Sequence, residues 1–131
     1  MSGLRFEVAA AWAMGVVLPL LEALRRRTNF ESPAFYVDDF IAGALLLWAA
    51  NSARVRHPQS RLRLAGAWGV LSGGLYGSFF GQLEDWRAVD VGGQSGLVVV
   101  VIKGVLYAIS LAAFVCALRR SDEARHATAA R

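Results

Sequence analysis

Apolar residues run along this chain in four blocks separated by three short polar segments. A helix crossing a bilayer needs about 20 mostly apolar residues, because the hydrocarbon core is ~30 Å thick and each helical residue rises ~1.5 Å. The first block, Phe6–Leu24, is interrupted only by Pro19 and Glu22. The second, Pro33–Ala53, carries Asp38 and Asp39 in its opening turns. The third, Leu64–Leu83, holds no charged residue, and the fourth, Gly96–Leu118, holds one, Lys103. The linking segments RRRTNFES, SARVRHPQSR and EDWRAVDVGGQS are too short to be domains and read as turns. The pattern predicts an all-α membrane protein, a four-transmembrane-helix bundle formed by residues 1–118. A mobile charged tail is expected over 119–131.

Local signals agree with these limits. Ser32 before Pro33 is an N-cap followed by a residue suited to the first helical position. His57-Pro58 breaks the chain between the second and third blocks, and Gly92-Gly93 precedes the fourth. Arg5 ahead of an apolar run also fits a signal peptide. No small-residue cleavage site follows that run; Glu22 and the triplet Arg25, Arg26, Arg27 do, so a retained span is expected.

Composition narrows the class. Hydrophobic residues make up 56% of the 131, charged residues only 18%, and mean hydropathy is +0.42. A disordered chain is excluded by that apolar content, and a disulfide scaffold by the single Cys116. Four spans put both termini on one side, together with Arg5, Arg54, Arg56, Arg61, Arg63, Arg119, Arg120, Arg125 and Arg131. The other side carries Arg25, Arg26, Arg27 and Arg87. The positive-inside bias therefore predicts cytoplasmic N and C termini, with the arginine triplet as the opposing signal. Glu22, Glu31, Asp38, Asp39, Glu84, Asp85 and Asp90 gather at the external end. Trp86 is expected at the outer interface, and Trp12, Trp48 and Trp68 in the inner half. The pI near 10.0 is read as arginines facing anionic lipid, with no nucleic-acid partner.

Gly69, Gly73, Gly77 and Gly81 recur every four residues on the third block. Such a stripe lets another backbone approach closely, which matters in lipid because hydrophobic drive between helices is small. The expectation is docking against another span of the same chain, near Ala11 and Gly15. Homo-oligomer formation through the third span is the alternative, and a pore lined by the stripe a third.

Lys103 lies seven residues past Gly96, about 10 Å into the span. Insertion of a lysine at a span centre costs about 2.5–3.5 kcal/mol, somewhat less at this depth. One reading has its stem snorkel to the outer headgroups. The sharper reading pairs it with Glu22, Asp38 or Asp39, which fall at similar depth, as a site for an ion, a proton or a charged head group. Glu22 also has Arg25 and Arg26 three and four residues on as local partners. Asp38 and Asp39 point about 100° apart, so at most one is expected to face a given partner. Lys103, Tyr107, Ser110 and Phe114 share one face of the fourth block, a polar seam toward the bundle interior.

Other chemistry lacks its residues. His57 and His126 lie outside the predicted spans, against paired haem ligands. No HExxH, zinc spacing or P-loop occurs, so neither cofactor nor metal is expected. The leading expectation is a non-enzymatic accessory, assembly or oligomeric protein of a bacterial inner membrane, with the lipid bilayer as its partner. The second is a small transporter or channel using Lys103 and a carboxylate. An enzyme acting on lipid head groups is third.

Overall fold

The structure, a computed structural model, describes residues 5–25, 33–90 and 93–129. All regular structure among them is helical: α1 (Phe6–Arg25), α2 (Pro33–Arg54), α3 (Ser60–Glu84) and α4 (Gly96–Ala129). The four expected helices are present. The Ser32 cap, the triplet beyond Arg25 and Gly92 lie outside the described residues.

Two boundaries differ from the sequence reading. α3 begins at Ser60 rather than Leu64, since nothing in Ser60–Arg63 opposes helix once Pro58 has been passed. α4 continues through the expected mobile tail to Ala129, because that tail is rich in Ala and Arg and contains no Gly or Pro. α2 ends sharply. Arg56 sits at φ 55, while the Arg56 amide donates to the Ala53 carbonyl and the His57 amide to the Ser52 carbonyl. That pair of bonds is a Schellman cap, formed here without the usual glycine.

α1 packs on α2, α2 on α3 and α3 on α4, with α1 touching α4 more sparsely. The molecule is therefore two helical hairpins laid side by side. Its core is built from small residues, including Ala11, Ala49, Ala50, Ala113 and Ala117, with Leu46, Leu71 and Trp68 among them. Ser72 and Ser110 join α3 to α4 through a buried hydroxyl pair at 2.7 Å.

α1 over Phe6–Leu24 and α4 over Gly96–Arg120 are long and apolar enough to cross a membrane, with mean hydropathy 1.6 and 2.4. Among the described residues, α2 and α3 give no window that reaches that measure. Asp38, Asp39 and Asn51 lower it in α2, and the glycines and serines of α3 do the same there. The two qualifying helices, α1 and α4, also touch each other. They display Val16, Leu20 and Leu24 on α1 and Val98, Val101 and Val105 on α4.

The glycine stripe does not dock on α1. A β-carbon added at Gly73, Gly77 or Gly81 would meet nothing within 4 Å, and one at Gly69 would touch the Phe114 ring of α4 at 3.4 Å. The close backbone approach is between α1 and α2 instead. A β-carbon on Gly43 would lie 2.8 Å from the Gly15 carbonyl oxygen and 2.7 Å from the Pro19 ring. Pro19 supplies no amide hydrogen to the Gly15 carbonyl, and that carbonyl faces Gly43. Isolated glycines on facing helices, not the four-fold repeat, make the tight crossing.

Trp68 also departs from its expected interfacial place. It is wholly buried, and its indole Nε1 donates to the Glu7 carbonyl at 3.2 Å. Trp12, Trp48 and Trp86 are exposed.

Candidate functional site

At the end formed by the C-termini of α1 and α3 and the N-termini of α2 and α4, the hairpins part around a cleft of about 690 Å³. All four helices border it. Glu22 comes from α1, Asp38 and Asp39 from α2, Gly74, Gly77 and Ser78 from α3, and Lys103 from α4. Between these groups the wall is aliphatic: Leu18, Leu21, Leu71, Leu75, Val99, Ile102 and Leu106. Volume and lining fall in the range of small-molecule sites, which are mostly apolar with a few fixed polar groups.

The helix register places each group. Leu18, Leu21 and Glu22 recur at i, i+3 and i+4 and so share one face of α1. On α4, Val99, Ile102, Lys103 and Leu106 follow the same spacing. Glu22 is only 6% exposed, whereas Asp38 is exposed and Asp39 and Lys103 are half-buried. The Lys103 Nζ donates to the Ser78 carbonyl at 3.3 Å, across to α3. The Lys103 side chain thus reaches across to the neighbouring helix.

Four of the five polar candidates named from sequence, Glu22, Asp38, Asp39 and Lys103, border this one cleft. Both aspartates do so despite pointing in different directions, because the cleft is wide enough to take side chains from two flanks of α2. Tyr107 does not line it. Its ring stacks on Phe79 at 5.9 Å and meets Tyr76 and Phe80 edge-on, closing the α3–α4 hairpin. The seam on α4 does face the bundle: Ser110 bonds to Ser72 across the interface, and Phe114 covers Gly69. Of the stripe, only Gly77 borders the cleft.

Sequence reading missed Asp90 and Gln94, which border the cleft from the α3–α4 connection. Asp90 is buried. The chain turns sharply there: the Gly93 amide donates to the Asp90 carbonyl at 2.7 Å, with Gly93 at φ 75, and the Asp90 amide donates to the Gln94 carbonyl at 2.9 Å. A β-carbon on Gly96 would collide with the carbonyl oxygens of Trp86 and Ala88, so the connection lies directly on the start of α4. An acidic residue three positions before a glycine was the available signal.

The opposite end is closed. Glu7 is buried in the first turn of α1, and its Oε1 pairs with Arg120 of α4 at 3.3 Å. Arg61 of α3 donates to the Arg120 carbonyl at 2.8 Å. Arg63 donates to Ser52 at 3.0 Å and lies over the Trp48 ring at 4.5 Å, pinning α3 to α2. Among the described residues no group of three or more His, Cys, Asp or Glu could hold a metal ion.

No protein-family model, curated protein or solved structure matches this chain.

Proposed function

We propose that this chain is a multi-pass protein of a bacterial inner membrane, its four helices crossing the bilayer with both termini in the cytoplasm. It binds a small solute in the cleft, as a transporter or channel component without covalent chemistry. The membrane reading is supported by the surface of α4, where only 17% of the apolar window is buried inside the chain. The core helix of a soluble protein is mostly buried, whereas a soluble surface this apolar would expose far more than the few hundred Å² that soluble proteins tolerate.

The observation that carries the solute reading is the meeting of Glu22, Asp38, Asp39 and Lys103 around one cleft between two hairpins. Ionisable groups are expensive in a bilayer and are kept there for a site or a pathway. An accessory protein that works only by packing has no use for such a cavity, so the cleft favours solute binding over the assembly role.

Cysteine accessibility tests the arrangement. In a Cys116→Ala background, Ser78→Cys should be alkylated by a membrane-impermeant maleimide added to intact spheroplasts. Gln59→Cys, exposed at the closed end, should react only after lysis. The reverse pattern would invert the orientation. Recovery of the protein from membranes by alkaline carbonate alone would remove the membrane reading.

A further inference from the structure

Resting on the reading of the chain as a multi-pass membrane protein, we infer that the corner between α2 and α3, residues 54–63, is a headgroup site for an anionic phospholipid. The group bound is a phosphate with no ammonium beside it, held by His57 and Arg63 and flanked by Arg54 and Arg56. A general pull of basic residues toward an anionic leaflet needs no such site. Here two hydrogen-bond donors meet with no acceptor between them.

The geometry begins at His57. The Gln59 amide donates to His57 Nδ1 at 3.2 Å, so Nδ1 is the acceptor and the ring proton sits on Nε2. That Nε2 lies 3.4 Å from Nη2 of Arg63, which can only donate. Neither nitrogen satisfies the other. Arg63 is held in this position from below. Its Nη1 donates to Ser52 Oγ at 3.0 Å, Ser52 Oγ donates to the Trp48 carbonyl at 2.9 Å, and the guanidinium lies 4.5 Å from the Trp48 ring centroid. An oxyanion placed beside both nitrogens accepts from both, and phosphate matches the guanidinium fork.

Arg54 and Arg56 add charge to the same corner. Both are exposed, and among the described residues no carboxylate pairs with Arg54, Arg56 or Arg63. Glu7, the buried acid of this end, is engaged with Arg120. Arg56 also occupies a left-handed backbone position, φ 55, which glycine would take without strain. Strain held where a cheaper residue would serve points to a use for the side chain.

The surroundings select a lipid over a free phosphate. Val55 stands between Arg54 and Arg56 in sequence, and Leu62 between Arg61 and Arg63; both are exposed, as is Trp48. Arginines interleaved with exposed aliphatic and indole groups are what a membrane interface receives. Acyl chains beside the headgroup would cover Val55 and Leu62, whereas a soluble anion would leave them in water.

The test uses the full chain purified in a non-ionic detergent, with phosphatidylglycerol carrying a fluorophore on its acyl chain as the probe. Saturable binding is expected, displaced by unlabelled phosphatidylglycerol at least about ten-fold more effectively than by phosphatidylcholine. Arg54→Gln should weaken it about five-fold, the effect of one guanidinium near an anionic headgroup. Arg56→Gly should weaken it by a similar factor and raise the apparent melting temperature, because charge and strain leave together. His57→Phe, which removes the Nε2 donor and no charge, should weaken it several-fold. Absence of saturable binding, or displacement by phosphatidylcholine as effective as by phosphatidylglycerol, would overturn the inference. Inorganic phosphate displacing the probe at the same concentrations would overturn the lipid source. Binding unchanged in Arg54→Gln and Arg56→Gly would overturn the placement at this corner. All these outcomes leave the membrane reading standing; release of the protein from membranes by alkaline carbonate would overturn both.

Discussion

The two ends of this small bundle are built from the same kinds of residue and reach opposite results. At the end that holds Glu7, a carboxylate, an arginine and a tryptophan from three helices interlock, and the core closes over them. At the end that holds Glu22, carboxylates from α1 and α2 and a lysine from α4 stand around a cleft that α3 also borders. The difference lies in what fills the space between the hairpins. Trp68, the largest fully buried side chain, occupies it at the closed end. At the open end α3 offers Gly74, Gly77 and Ser78, which leave the middle unfilled. Charge alone therefore makes no site. A charge beside a missing side chain does.

Between the ends lies the crossing of α1 and α2, and breaking it should have the largest effect. Gly43→Val would drive a side chain against the Gly15 carbonyl and the Pro19 ring, both backbone-fixed. Folded yield in detergent should collapse, read as loss of a monodisperse peak. Gly73→Val on α3 meets nothing and should stay within about 0.5 kcal/mol of the parent. If Gly73→Val proves as damaging as Gly43→Val, the assignment of the tight crossing to α1 and α2 is wrong. A change in particle mass for Gly73→Val with the fold intact would instead place a second copy of the chain on that face.

The closed end should respond asymmetrically. Arg120→Gln leaves the Glu7 carboxylate buried without its cation and should cost about 2 kcal/mol. That lies below the 3–5 kcal/mol typical of breaking a buried pair, because Arg120 is 39% exposed and solvent can compensate. Glu7→Gln removes the charge itself and should cost less. The buried Glu7 Oε2, which has no hydrogen-bond partner among the described residues, then becomes a neutral amide atom. Apparent melting temperatures measured side by side in one detergent would check the order; equal losses would mean that the pair contributes only shape.

Ser72→Ala should have the smallest effect, under about 1 kcal/mol. A neutral intramolecular hydrogen bond contributes about 1 kcal/mol net, and the bond to Ser110 is a single neutral one. A loss of several kcal/mol would show that the α3–α4 hairpin depends on this bond rather than on its aromatic packing.

Much of this was readable along the chain. Apolar blocks of bilayer length located four helices, because backbone hydrogen bonds and the rise per residue are local properties. The depth of Lys103, Glu22, Asp38 and Asp39 in those blocks placed them near one end, since depth follows from counting residues. Azimuth was less accessible. Gly73 and Gly81 look like a docking stripe by spacing, yet which helix faces a stripe depends on how the rods are rotated against each other. That rotation was decided by Gly15, Pro19 and Gly43, whose complementarity exists only once α1 and α2 meet. The same holds for Trp68, which went to the core rather than the interface because Glu7 offers its indole a carbonyl there. The cleft belongs wholly to the tertiary structure, because an unfilled volume between helices is a property of no single segment of sequence.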